Sequence, residues 1–109
     1  MTTLNPADRY LILINTFEVT PENADRLVEV LREASGPISG MTGFVSANLH
    51  VSADRTRVVN YAQWRSRADY DAFVHDPDAQ PHMRQAADLV KSYDPVFYDL
   101  LHVVGAPRG

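Results

Sequence analysis

The sequence predicts a single α+β domain with the element order β-α-β-β-α-β. Three observations point to it. Residues 10–17, 44–51, 57–64 and 96–104 read as four short strands. Only the polar turn SADRT, residues 52–56, separates the second from the third, which makes them a hairpin. Helical patterning fills the two longer gaps, after the first strand and after the third. This order is that of a ferredoxin-like subunit with a four-stranded antiparallel sheet.

The elements follow in turn. Residues 1–9 are polar and predict a flexible N-terminal arm ahead of a domain spanning 10–104. Residues 10–17, YLILINTF, are apolar on both strand faces, with Tyr10, Ile12 and Ile14 on one face. Leu11, Leu13 and Phe17 share the other face with a polar exception, Asn15. Thr20-Pro21-Glu22 starts a helix: a capping hydroxyl, a proline at the first helical position and an acid in the first turn. Ala24, Leu27, Val28 and Leu31 form its apolar stripe, and Ser35-Gly36-Pro37 is expected to end it. In FVSANLHV, residues 44–51, Val45, Ala47, Leu49 and Val51 alternate with Phe44, Ser46, Asn48 and His50. Residues 57–64 form the partner strand. Ser66 and Asp69 read as a capping box for a second helix. Asp76-Pro77 and Pro81 break that helix, and a last segment runs from about residue 82 to 93. Asp94-Pro95 ends it, residues 96–104 make the final strand, and 105–109 are a tail.

Two helices cover only one face of such a sheet. The first and last strands are nonetheless apolar on both faces. A second copy of the chain is the simplest cover, which predicts a homodimer with facing sheets.

Composition narrows the function. The 109 residues are 45% hydrophobic, enough for one core, and the net charge is −4. The ten basic residues form no run, so no nucleic-acid partner is expected. The absence of cysteine excludes disulfides, Fe–S clusters and thiol chemistry. No apolar run reaches the ~18 residues of a membrane helix, and the N-terminus lacks a secretory pattern. A cytoplasmic protein without a membrane partner is expected. The four histidines show no HxH, HxxxH or HExxH spacing, so no metal is expected.

One stretch stands out. VVNYAQW, residues 58–64, is a strand carrying two carboxamides and the only Trp of the chain. Asn is a poor strand former. Parity puts Asn60 and Trp64 on one face and Tyr61 and Gln63 on the other. A buried carboxamide needs a partner in the protein, in water or in a ligand, because leaving it bare costs about 1–3 kcal/mol. Gln63 is expected to bond on the opposite face. If His50 lies on the Asn60 side, it joins the same cluster.

VVNYAQW, the capped helix start SRADY, the proline-interrupted segment after it and Arg84 together resemble the antibiotic biosynthesis monooxygenase family. The resemblance covers residues 10–104 and is nearest to cofactor-independent polyketide-tailoring members of the actinorhodin-pathway type. It implies a dimeric α+β barrel. It implies oxidation of an anthrone- or hydroquinone-type aromatic polyketide to a quinone with O2, without metal, flavin or other cofactor. By position it implies catalytic roles for Asn60 and Trp64. It implies that His50, Tyr70, Arg84 and Asn15 bind substrate.

Other readings stay open. A non-redox polyketide cyclase or ligand-binding protein of the same fold would use the same pocket without consuming O2. A quinol monooxygenase is another, as is a haem-degrading relative. For the last, Asn15 and His82 stand near matching places, but Phe73 occupies the place of a Trp.

Overall fold

The computed structural model describes residues 2–107. Of the expected arm and tail, residues 1, 108 and 109 lie outside the described residues. The elements are β1 (Leu11–Glu18), α1 (Pro21–Ser39), β2 (Phe44–Val51), β3 (Arg57–Trp64), α2 (Arg67–Val74), α3 (Gln80–Leu89) and β4 (Ser92–Tyr98). The strands form one antiparallel sheet in the order β2-β3-β1-β4. This is the ferredoxin-like arrangement that the element order predicts. The helices lie on one side of the sheet. No helix among the described residues is long and apolar enough to cross a membrane.

Four boundaries depart from the sequence reading. Helix α1 runs through Gly36 and Pro37 to Ser39. Pro37 removes one helical hydrogen bond, but Pro37 and Glu33, whose carbonyl it frees, are both exposed, so water can reach that carbonyl. The helix continues because Ala34 and Ile38, one turn apart, both pack towards the sheet. Helix α3 ends at Leu89, and β4 begins at Ser92 rather than 96. Asp94-Pro95 therefore lies inside a strand. Proline is tolerated there because β4 is the sheet edge, where a missing N–H costs no ladder bond. The backbone N–H of Lys91 donates to the Glu18 carbonyl at 2.7 Å, which locks the start of this pairing. β4 also ends at Tyr98 rather than 104, because its pairing with β1 stops at Ile12 and the chain then leaves the sheet; Leu101 and Val104 are 84% and 83% exposed.

Near the N-terminus, Pro6–Asp8 forms one 3-10 turn capped by Asn5. The Gln63 side-chain amide donates to the Thr3 carbonyl at 3.1 Å and to Ser46 Oγ at 2.9 Å. Gln63 thus bonds on the sheet face away from the helices, as parity predicts.

The entry to β2 is tightly joined to the link between β3 and α2. Gly43 has φ 81, a left-handed conformation. Its carbonyl accepts from the Arg65 N–H at 2.8 Å. A Cβ at this position would collide with the Asp69 carboxylate. That carboxylate accepts from Ser66 Oγ at 3.0 Å, while Ser66 Oγ accepts from the Asp69 N–H at 3.2 Å and caps α2. Gly43→Ala is therefore expected to destabilise the fold by about 1–3 kcal/mol through backbone strain and a displaced cap. A thermal melt checks this. About 4–8 °C is lost per kcal/mol in a domain of this size, and an unshifted melt contradicts the strain.

Candidate active site

The register of the two central strands sets out the floor of the site. On the helix side, Leu11 pairs with Trp64, Leu13 with Ala62, Asn15 with Asn60 and Phe17 with Val58. The last row belongs to one buried cluster, with Leu27, Val30 and Ala86. Leu13, Ala62 and Trp64 belong to a second. The two carboxamides lie between them. Above this floor the helices leave a cavity of about 510 Å³, within the range of small-molecule sites. Leu31, Ile38, Phe44 and Phe73 contribute apolar walls.

Asn15 and Asn60 are cross-strand neighbours, so their Cβ atoms stand about 5 Å apart. The Oδ1 atoms of both are buried and have no hydrogen-bond partner among the described residues. Each such atom costs about 1–3 kcal/mol. The protein carries this cost where both side chains line the cavity. A carboxamide has both a donor and an acceptor end. The pair is thus equipped to accept from a ligand hydroxyl or to donate to a ligand oxyanion.

Trp64 is 2% exposed and forms one wall. It stacks on Phe73, with centroids 5.3 Å apart and planes at 28°. Phe44 and Tyr70 meet it edge-on at 5.4 and 5.9 Å. Tyr70 in turn packs edge-on against Phe97 at 5.3 Å. Burial pushes the Tyr70 phenol above its ordinary pKa; the Arg67 guanidinium opposes the shift and the Asp71 carboxylate adds to it. Tyr70 therefore stays protonated at neutral pH and is available as a donor. Arg67 is held at 4.1 Å over the Phe97 ring and at 3.0 Å from Asp71.

The structure brings together Asn15, Asn60, Trp64 and Tyr70 around one cavity. It does not bring His50 or Arg84 there. Arg84 is exposed on α3. His50 is exposed on the opposite sheet face, where its Nδ1 lies 3.2 Å from the Asn48 carbonyl. A β-bulge is the cause. Phe44 pairs with Trp64, but Ser46 pairs with Gln63, so one residue is inserted between them. Phe44 stays on the helix side, whereas Ser46, Asn48 and His50 are turned to the other face. His50 then pairs with Val59 rather than Val58. Simple alternation from Phe44 does not reveal this slip.

The sequence reading gives His82 no place in the monooxygenase site, yet it is the only histidine lining the cavity among the described residues. A signal for it exists. Ala79, His82, Met83 and Ala86 fall at helical spacing on one stripe, and all four line the cavity. Among the described residues there is no cluster of three or more His, Cys, Asp or Glu side chains able to hold a metal.

Residues 10–88 match the family model described as antibiotic biosynthesis monooxygenase. The chain belongs to that family. It is accordingly an enzyme, a monooxygenase of the antibiotic-biosynthesis type. It is 41% identical to the tetracenomycin-F1 monooxygenase of Streptomyces glaucescens, with 100% of this chain and 99% of that protein covered. Among solved structures it is similar to the ActVA-Orf6 monooxygenase of Streptomyces coelicolor in complex with nanaomycin D. There the TM-score is 0.84 and the identity 29%, over 93% of this chain and 96% of the other. The fold is shared with SnoaB, a cofactor-independent oxygenase from Streptomyces nogalater. That match has a TM-score of 0.77 and 17% identity, over 90% of this chain and 99% of that one.

Proposed function

We propose that this monooxygenase oxidises an anthrone- or hydroquinone-type aromatic polyketide to a quinone with O2 and needs no cofactor. The observation that carries the proposal is the pair of unpartnered carboxamides, Asn15 and Asn60, at the floor of an apolar cavity beside Trp64. The similarity to the tetracenomycin-F1 and ActVA-Orf6 monooxygenases supports it.

Triplet O2 reacts slowly with closed-shell molecules, so the substrate must itself become the reductant. An anthrone loses a ring proton, and its electron pair spreads onto the carbonyl oxygen. The anion passes one electron to O2. The resulting radicals combine into a peroxide, which takes up a proton. Loss of water then leaves the new carbonyl of the quinone. One oxygen atom ends in the product and the other in water. Asn60 donates its amide N–H to the substrate oxygen on which charge develops, with Asn15 beside it. Trp64 and Phe73 pack against the rings. Tyr70 donates its hydroxyl to a second oxygen. The apolar walls exclude water from the anion and the peroxide.

An oxygen electrode tests this with purified protein and 1,8-dihydroxyanthrone. The expected result is one O2 consumed per quinone formed, undiminished by a strong chelator. Ligand-dependent quenching of Trp64 fluorescence without O2 uptake would instead indicate a cyclase or binding protein.

The working unit in this proposal is a homodimer. The sheet face away from the helices carries Ile14, Val59, Val96 and Tyr98, and Tyr98 is 48% exposed. A sheet face of this kind needs a cover. Light scattering is expected to give twice the 12.2 kDa chain mass; a monomer at micromolar concentration contradicts the dimer.

A further inference from the structure

We infer that His82 is the base that takes the proton from the substrate. The inference rests on the oxygenase reading above and names the group that starts its chemistry.

Three buried polar atoms have no hydrogen-bond partner among the described residues: Asn15 Oδ1, Asn60 Oδ1 and His82 Nδ1. They come from β1, β3 and α3, far apart in the chain, yet all three residues line one cavity. Buried polar side-chain atoms are normally paired. Three exceptions around a single apolar space point to a ligand as the missing partner. The carboxamides are neutral over the whole physiological range and cannot accept the proton. An imidazole can, because its neutral form always carries one nitrogen with a free lone pair.

The other titratable groups lining the cavity fit the role less well. Burial holds the Tyr70 phenol protonated, so it donates rather than accepts. Asp76 and Asp78 lie on the connection between α2 and α3, and the Asp76 carboxylate already accepts from the Asp78 N–H at 2.8 Å. Tyr93 on β4 is 58% exposed. The sheet and α1 contribute no charged side chain to the lining. The remaining histidines are placed elsewhere: His50 on the far sheet face, with His75 and His102 exposed on the surface.

The step balances simply. The C–H bond of the anthrone ring methylene breaks and an N–H bond forms on the His82 ring. The electron pair stays with the substrate and spreads onto its carbonyl oxygen, where Asn60 donates. Imidazolium and anthrolate then sit side by side in an apolar space, where their attraction is strongest. The proton is later available to the peroxide.

Anaerobic mixing with 1,8-dihydroxyanthrone separates this step from oxygen chemistry. The wild type is expected to bind the probe and to show the red-shifted absorption of the anthrolate. His82→Gln is expected to bind it, as read by Trp64 quenching, with the spectrum of the neutral anthrone. In air its turnover should fall by about 10²–10⁴-fold, the usual share of general acid–base catalysis. His82→Asn is measured beside it, and thermal melts identify the folded variant from which the result is read. If the folded variant shows the anthrolate band and near wild-type turnover, His82 is not the base, while the oxygenase reading stands. If the wild type neither binds nor oxidises hydroxyanthrones, both fall together.

Discussion

Replacing Asn60 by Ala is expected to lower kcat for anthrone oxidation by about 10²–10³-fold, the usual loss on removing one oxyanion donor. The same substitution should leave the melting temperature unchanged or raise it. Asn60 Oδ1 is buried without a partner among the described residues. Removing it relieves a desolvation cost of about 1–3 kcal/mol, against which the small loss of packing beside an existing cavity weighs little. Sites that carry chemistry are often held at the expense of stability. Steady-state rates and a thermal melt on one preparation check both halves. A parallel loss of activity and stability would mean that Asn60 is a structural residue.

Trp64→Ala is expected to do the opposite, destabilising the protein by about 3–5 kcal/mol, as large aromatic truncations do. Trp64 is 2% exposed and contacts Phe44, Tyr70 and Phe73 through ring packing. That loss is a large share of the stability of a small domain. Urea unfolding followed by far-UV circular dichroism checks it, since the variant has no other Trp to report. Trp64→Phe separates packing from chemistry. It keeps a ring against Phe73 but removes the indole N–H, so a folded Trp64→Phe enzyme with wild-type turnover would confine Trp64 to a packing role.

The hairpin of β2 and β3 and the shared face of Asn60 and Trp64 are legible in the amino-acid sequence, whereas Asn15 joins that face through the pairing of β1 with β3. Strand parity is a local property, and each of these residues lies in a run where alternation is unbroken. The position of His50 relative to Asn60 is not legible, because one inserted residue between Phe44 and Ser46 reverses every side chain after it. Nothing in FVSANLHV marks that insertion, since its hydrophobic pattern alternates in either register. Pro37 and Pro95 read as stops because proline is a stop in an isolated segment. Each is tolerated here by position: Pro37 in the last turn of α1, where it and Glu33 are exposed, and Pro95 on the edge strand.

Short-range periodicity and turn chemistry suffice for the order of the elements and for the Asn60–Trp64 pair sharing one face of its strand. They do not suffice to place His50 and His82 relative to the cavity. His50 lies outside the cavity because of how β2 and β3 settle their register. His82 lies within it because of how α3 docks above β1 and β3. Both outcomes arise from contacts between distant parts of the chain, whose energies no local pattern records.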